Sequence, residues 1–491
     1  MSRVISDSRP ISLGPPSDSR PAPNRADSRI RDPIGRALLI LFATKPFLDL
    51  FWEYYFFIGP IRVSPTTSIA FLIVVYFLPF RVKHAQYAPP YARVFEAFIA
   101  LNLAGIVIGL ATNPQARGFA AFETMIRILG CYLTFFCAYA AARRYEYTDA
   151  RPFLKAMVIG TAIAVILNLA AIKLGFGGQK VGSEYTRGPY REVGLYFDAG
   201  SLGAFAFYNL AITVFFFHAA RSGKSFWLVA TVALVLIDLY LMALSGSRAP
   251  MVQTGIAAMF YAWYLRGWGR IAAPIVAVLI LLVTATVLVD QPGNVFERFQ
   301  GDVAAIESDG SGIGETMSGK VSLGKYEALG NNRGMLWANA LTAIFHQSGP
   351  AIIFGSYFSR IGAHSDYIDI LARNGIVGLG LYVFLIYGLC LKTLALGRRA
   401  NREDYRLLQT LACLLLASYA FYCFPFRPLV YTTVNWYMWT IVALALATIP
   451  RVTRRALPGV AASAGTPPSG TAPRPGPVGW QAGRSEPIRR T

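Results

Sequence analysis

The chain has 491 residues, of which 55% are hydrophobic and only 15% are charged. Soluble domains carry about 25% charged residues, so the composition excludes an ordinary soluble protein. The formal net charge is +20, which is also seen in nucleic-acid-binding proteins. Here most arginines lie in the tails and short loops between apolar segments, where they act as topology signals, and no RNA- or DNA-binding motif accompanies them. We therefore expect a helical membrane protein without a nucleic-acid partner.

The five cysteines all fall within apolar segments and have no metal-ligand spacing: Cys131, Cys137, Cys390, Cys413 and Cys423. They are predicted to be small core hydrophobes, with no disulfide framework and no metal site. The first 33 residues are polar and lack an apolar period, so we expect a cytoplasmic disordered tail and no cleavable signal peptide.

The first predicted span, about residues 34–58, contains two charged residues, Lys45 and Asp49. A separation of four residues places both on one face of a helix, where they can form an ion pair. The span at 118–141 carries a second pair with the same spacing, Glu123 and Arg127. Charges inside a span are costly and usually face the interior of the helix bundle, so Lys45 and Asp49 are predicted to form a structural ion pair.

The remaining apolar runs define the predicted architecture. Spans are expected near 64–80, 93–112, 118–141, 151–174, 199–219, 225–244, 250–265 and 270–289, then near 375–396, 406–424 and 430–449. The predicted fold is an all-α polytopic membrane protein of about twelve transmembrane helices, nine within 34–289 and three within 375–449. A large polar loop at 290–374 separates the two groups and contains a predicted amphipathic helix, Arg333–Phe345. Residues 450–491 are rich in Pro, Gly and Ala and are predicted to be a disordered cytoplasmic tail.

Loop charges give the expected orientation, because cytoplasmic loops carry an excess of Lys and Arg. Clusters occur at Arg81 and Lys83; Arg143, Arg144 and Arg151; Arg221 and Lys224; Arg266 and Arg270; Arg398, Arg399 and Arg402; and Arg451, Arg454 and Arg455. The opposite short loops carry single arginines: Arg62, Arg117, Arg248 and Arg427. Both termini are therefore expected in the cytoplasm, and the loops at 175–198 and 290–374 are expected to face outward.

Several arginines on the outward side suggest a ligand. They are Arg187 and Arg191 in the first long loop, Arg248 in a tight turn, Arg333 before Trp337, and Arg373. Arginine binds phosphate oxygens through a planar fork of donors and keeps its charge when partly buried. A phosphate or pyrophosphate at membrane level is the expected ligand. For any one arginine alone, the alternative is a side chain that extends to the lipid headgroups.

His364 is one of only four histidines and lies where the long outward loop re-enters the membrane. An imidazole at this border can accept a proton near neutral pH, so His364 is the candidate general base for an acceptor hydroxyl. Asp366 is a candidate to orient it, and Tyr367 and Trp337 are candidates to stack on sugar rings. The alternatives are a histidine that caps the next helix and aromatic residues that anchor the chain at the membrane interface.

Four motifs together resemble a known family. Arg191 precedes a Gly-Leu-Tyr-Phe turn, Arg248 ends a Ser-Gly-Ser-Arg turn, and Arg333 precedes Trp337 by four residues. A helix entry then follows the pattern His-x-x-Tyr-x-x-x-Leu-x-x-x-Gly-x-x-Gly, from His364 to Gly378. This order resembles the bacterial O-antigen ligase and O-antigen or exopolysaccharide polymerase superfamily of membrane glycosyltransferases, over roughly residues 34–449.

The resemblance implies a metal-independent enzyme without a cofactor in the bacterial inner membrane. Its donor is a glycan on undecaprenyl pyrophosphate, and its active site faces the periplasm. The family's histidine corresponds to His364 and its two arginines to Arg248 and Arg333, which the resemblance makes catalytic. Arg187, Arg191, Asp366, Tyr367, Arg373 and Trp337 are then the predicted substrate-binding residues.

The acceptor stays open at this stage. Many ligases have His-Asn where this chain has His364-Ser365-Asp366, and the Gly-rich insert at 308–324 is unusual. We favour polymerisation of surface polysaccharide repeats, with a polysaccharide acceptor and a chain-length regulator as a further partner. Transfer to lipid A-core, as by a ligase, is the first alternative. A flippase is the second, although the two halves show no paired repeats, and a transferase that uses Asp49 or Glu53 as a catalytic acid is the third.

Overall fold

The computed structural model describes residues 30–51, 56–58, 61–63, 65–112, 118–147, 149–175, 194–196, 199–220, 225–265, 329–355, 365–397, 403–430 and 432–455. The predicted tails, the span at 270–289 and most of the 290–374 loop lie outside these residues. Within the described part the protein is helical, apart from one short antiparallel hairpin in which Phe56–Ile58 pairs with Ile61–Val63. The predicted all-α class is confirmed for this part of the chain.

The described helices follow the predicted spans closely. They are α1 (Pro33–Asp49), α2 (Pro65–Lys83), α3 (Ala92–Thr112), α4 (Gly118–Arg144), α5 (Arg151–Lys173), α6 (Ala199–Ala220), α7 (Ser225–Leu244), α8 (Arg248–Tyr264), α9 (Leu329–Phe345), α10 (Gly349–Phe354), α11 (Asp366–Gly397), α12 (Glu403–Tyr422) and α13 (Thr432–Arg455). The amphipathic helix predicted at Arg333–Phe345 is confirmed as the greater part of α9.

Two predicted boundaries need correction. The first span was predicted to reach residue 58, but α1 ends at Asp49, where the backbone nitrogen of Leu50 turns back to Phe47 O and the hairpin soon follows. An apolar strand extends the hydrophobic run just as a helix does, so hydropathy cannot mark this end. The last group of spans was predicted to begin at 375, whereas α11 begins at Asp366 and is broken at Gly375, which has φ 64°.

Among the residues that the structure describes, four helical segments are long and apolar enough to cross a membrane: Phe122–Arg144, Arg151–Lys173, Gly200–His218 and Asp366–Leu396. This composition is that of a membrane protein. Twelve spans are not established by these four, and that number stays a prediction.

The bundle core is aromatic and includes the buried cysteines. The Trp439 ring lies 5.1 Å from Phe95 and 5.6 Å from Phe135, measured between centroids. α13 packs against α4, α1 against α5, and α6 against α7. Four of the five cysteines are buried and Cys390 is half-buried, and all five are free thiols, as the sequence predicts.

Contacts between helix ends define two ends of the bundle. At the polar-loop end, where α6 and α8 begin and α12 ends, the Tyr422 hydroxyl donates to Gly200 O at 3.2 Å. At the basic end, Arg144 of α4 contacts His84 after α2, and Arg406 of α12 donates to Tyr264 O at the end of α8. Of the predicted outward arginines, Arg248 begins α8 at the polar-loop end, and Arg427 follows the end of α12 there.

Candidate functional site

The first turn of α11 is fixed on the loop between α12 and α13. The backbone nitrogen of Asp366 donates to Cys423 O and to Phe426 O, each at 3.0 Å. The Ser365 hydroxyl donates to Cys423 O at 3.0 Å, and the Asp366 carboxylate accepts from Leu429 N at 2.7 Å. Ser365 and Asp366 are both buried. The chain therefore leaves this docked turn at Ser365, one residue after His364, which itself lies outside the described residues.

Tyr367 is directed at α12. Its hydroxyl donates to Ala420 O at 2.9 Å, and its ring makes an edge contact with Phe424 at 4.7 Å between centroids. Because the ring is only partly buried, the contact leaves some of its surface accessible. The predicted stacking of Tyr367 on a sugar stays a prediction.

A buried carboxylate with two arginines lies one turn further along α11. Arg427 contacts Asp369 Oδ2 directly, and Arg373 Nη2 lies 3.8 Å from the same oxygen. The Asp369 side chain is 7% exposed, whereas those of Arg373 and Arg427 are 26% and 31% exposed. The acid is therefore covered while both guanidinium groups reach solvent.

Two glycines bring α10 against the break in α11. Gly355 has φ 87° and ends α10, and Gly375 has φ 64° at the break. A Cβ atom on Gly375 would lie 2.2 Å from Ile353 O, and one on Gly355 would lie 2.1 Å from Arg373 O. Only glycine fits at either position. This close approach fixes the backbone of Arg373.

Arg248 begins α8 at the same end of the bundle. The preceding turn is confirmed as tight: Gly246 has φ 56°, and the Ser245 hydroxyl donates to Met242 O at 2.7 Å. Ala249, the next residue, packs with Tyr422, and Tyr422 adjoins the Cys423 carbonyl that binds the start of α11. The residue next to Arg248 and the start of α11 therefore contact adjacent residues, Tyr422 at the end of α12 and Cys423 just after it.

The other predicted site residues are described only in part. The side chain of Trp337 is half-buried on α9, and α9 packs against α11. Arg333 lies within α9, but its side chain is outside the described residues, as are Arg187 and Arg191. Four residues after Arg191, the chain is fixed near the end of α5, where Leu195 N donates to Asn168 Oδ1 at 2.8 Å.

From the sequence, Arg427 is predicted only to lie in a short outward loop. Nothing in its spacing connects it with Asp369, because Asp369 belongs to α11 and Arg427 to the α12–α13 loop, and the two meet only when this loop folds over α11. The signal that could have marked Arg427 is its departure from the positive-inside rule, which it shares with Arg248.

Both predicted pairs inside helices are confirmed as ion pairs. Lys45 contacts Asp49, with the lysine side chain fully buried, and Arg127 contacts Glu123. The Thr67 hydroxyl of α2 also donates to Glu123, which ties α2 to α4. Asp49 is therefore the partner of a buried cation, and Glu53 lies outside the described residues.

No protein-family model matches this chain, and no curated protein matches it. Within the ranges given above, no group of three or more His, Cys, Asp or Glu side chains is close enough to hold a metal ion.

Proposed function

We propose that this protein is a bacterial inner-membrane glycosyltransferase that transfers a glycan from undecaprenyl pyrophosphate to an acceptor hydroxyl on the periplasmic face. The favoured reaction is polymerisation of surface polysaccharide repeats. The proposal includes about twelve spans with both termini in the cytoplasm and no metal or cofactor in the reaction.

The observation that carries the proposal is the convergence of separate loops at one end of the bundle. The residue next to His364 is fixed to Cys423, and the residue next to Arg248 packs on Tyr422. Arg373 and Arg427 lie in the same neighbourhood through Asp369. Ser365, which follows the candidate histidine, and several arginines from distant parts of the sequence thereby lie near one short stretch, the end of α12 and the loop after it.

These residue types suit the transfer of a sugar from a lipid pyrophosphate. His364 accepts the proton of the acceptor hydroxyl, whose oxygen forms the new bond to the anomeric carbon of the donor. The bond between that carbon and the pyrophosphate oxygen breaks, and the electron pair leaves with undecaprenyl pyrophosphate. Arg248 and Arg333 stabilise the charge that develops on the leaving group.

Arg187, Arg191 and Arg373 contribute to binding of the pyrophosphate, and Trp337 and Tyr367 contact the sugars. The short Asp366–Leu429 bond supports a structural contribution of Asp366 to this site, because it fixes the residues that follow His364.

A chromosomal deletion, complemented by the wild-type gene, tests the proposal and separates the two acceptors. Surface polysaccharide and lipopolysaccharide are compared on one gel. Loss of long polymer with single repeats still on lipid A-core indicates a polymerase. Bare lipid A-core with accumulated lipid-linked polymer indicates a ligase. Unchanged polysaccharide and lipopolysaccharide in the deletion strain would contradict the proposed function.

A further inference from the structure

Asp369 of α11 contacts arginines from two different elements. Arg427 comes from the α12–α13 loop and touches Asp369 Oδ2. Arg373 comes from the next turn of α11, and its Nη2 atom lies 3.8 Å from the same oxygen. One carboxylate thus faces two guanidinium groups, and the three side chains together keep a charge of +1.

The exposure of the three side chains is uneven. A purely structural ion pair is complete with one arginine, and burying a second cation beside it adds a desolvation cost. Here the carboxylate is buried, with 7% of the side chain exposed, and about a quarter to a third of each arginine remains exposed. The buried carboxylate of Asp369 contacts both cations, and part of each arginine side chain stays accessible to solvent.

The hydrogen-bond donors of the Arg373 guanidinium are only partly satisfied by the described part of the protein. Its approach to Asp369 exceeds the 2.7–3.2 Å range of N–H···O hydrogen bonds. That approach is its only polar contact among the residues that the structure describes. Arg427 also has a buried Nε atom that meets no acceptor in the same part of the chain. The exposed parts of the two side chains, 26% for Arg373 and 31% for Arg427, are available to an anionic ligand.

Hydrogen bonds hold the backbone on both sides of Arg427. Phe426 O accepts from Asp366 N on one side of it, and Leu429 N donates to the Asp366 carboxylate on the other. Arg373 is held in turn by the glycine contact between α10 and α11. Two cations with fixed backbones lose little freedom when they bind a ligand, which favours affinity.

We propose that Arg373 and Arg427 form a binding site for phosphate oxygens, with Asp369 as the residue that positions both guanidinium groups. Arginine suits such a ligand because its planar donors can bind two oxygens at once. Where the ligand is the pyrophosphate of the lipid-linked donor, this inference rests on the proposed function and adds Arg427 and Asp369 to its site. An anionic phospholipid headgroup offers the same oxygens.

The test is binding of inorganic pyrophosphate to the full-length protein in nanodiscs of neutral phosphatidylcholine, measured by isothermal titration calorimetry. Arg427→Gln is expected to raise the dissociation constant for pyrophosphate about tenfold, because one charge-assisted hydrogen bond is lost. Arg151→Gln is the matched control, because Arg151 also pairs with an aspartate, Asp149, but at the basic end. It is expected to leave binding unchanged.

A double variant separates binding from folding. Asp369→Asn with Arg427→Gln removes a carboxylate and a guanidinium together, so no buried charge is left without its principal partner. Its melting temperature is expected to be closer to that of wild type than the melting temperature of Asp369→Asn alone. Its affinity for pyrophosphate is expected to stay about tenfold weaker than that of wild type. Wild-type pyrophosphate affinity in Arg427→Gln or in the double variant would overturn the inference, as would a wild-type protein that binds no pyrophosphate.

The source of the phosphate is determined by repeating the titration in nanodiscs that contain phosphatidylglycerol. An unchanged pyrophosphate affinity assigns the arginine pair to a pyrophosphate ligand, and a weakened affinity that depends on Arg427 assigns it to the lipid headgroup. Glycan transfer by the wild-type protein is measured separately. Transfer that persists in Arg427→Gln, together with wild-type pyrophosphate affinity in that variant, leaves the proposed function intact and removes only this inference.

Discussion

The carboxylate of Asp366 accepts a hydrogen bond of 2.7 Å from the backbone nitrogen of Leu429. The backbone nitrogen of Asp366 donates back to Cys423 and Phe426 in the same loop. The start of α11 and the α12–α13 loop therefore form one unit. Ser365, the residue that follows the candidate base His364, and Arg427 both belong to this unit.

This relationship predicts different effects for two substitutions of Asp366. Asp366→Ala leaves the buried Leu429 nitrogen without its acceptor, which is expected to lower the free energy of unfolding by about 1–3 kcal/mol. Asp366→Asn keeps an oxygen that can accept the same bond and is expected to lose less. Denaturant unfolding in detergent micelles measures both. An Asn variant as unstable as the Ala variant would show that the charge, and not this hydrogen bond, stabilises the loop.

Gly375 and Gly380 offer a matched pair on α11. Gly375 has φ 64°, and a Cβ atom there would meet Ile353 O at 2.2 Å, whereas a Cβ atom on Gly380 meets nothing within 4 Å. Gly375→Ala is therefore expected to separate α10 from α11 and lower both the melting temperature and the activity. Gly380→Ala is expected to resemble wild type. Equal melting temperatures for the two variants would contradict the close packing at the break.

Much of the helical framework was predictable from the sequence, because apolar runs of about 20 residues form few structures other than membrane-spanning helices. The limits of that signal are visible at α1, where apolar residues continue into a strand, and at α11, where the helix begins in polar sequence at Asp366. Ion pairs within one helix, such as Lys45 with Asp49, follow from spacing alone. The pairing of Arg427 with Asp369 does not, because it depends on how a loop folds over another helix.

The Lys45–Asp49 pair distinguishes the proposed mechanism from one that uses Asp49 as a catalytic acid. Lys45 is fully buried and lies 5.2 Å from the centroid of the Trp436 ring. Asp49→Ala removes its nearest carboxylate and is expected to cost about 3–5 kcal/mol of stability.

The double variant Lys45→Met with Asp49→Leu replaces both charges with apolar groups of similar size. It is expected to recover most of the stability and to retain glycan transfer, measured in proteoliposomes. A stable double variant without transfer would support catalysis by Asp49 instead.

We predict that the stability of the protein depends on pH through His84 at the basic end. The ring is buried, and Arg144 Nη1 lies 2.7 Å from its Nε2 atom. Burial lowers the pKa of His84 below its ordinary value of 6.5, and the nearby cations of Arg144 and Lys83 lower it further.

The unfolded chain protonates His84 more readily than the folded protein does. The contribution of neutral His84 to the free energy of unfolding is therefore fully present above about pH 6.5, and it decreases as the pH falls from there towards the folded pKa. Unfolding of wild type and His84→Gln is compared between about pH 8 and about pH 5.5. The variant is expected to lose less stability on acidification than wild type, and parallel pH profiles would contradict the assignment.

The most direct test of the central claim is glycan transfer by purified protein in proteoliposomes, with an undecaprenyl-pyrophosphate-linked repeat as donor. His364→Ala is compared with wild type and with His346→Ala, a control at an exposed histidine just after α9. We predict that His364→Ala lowers the transfer rate by about 100-fold or more, as expected for loss of a general base, while His346→Ala retains the wild-type rate. Transfer at the wild-type rate by a correctly inserted His364→Ala protein would contradict the account.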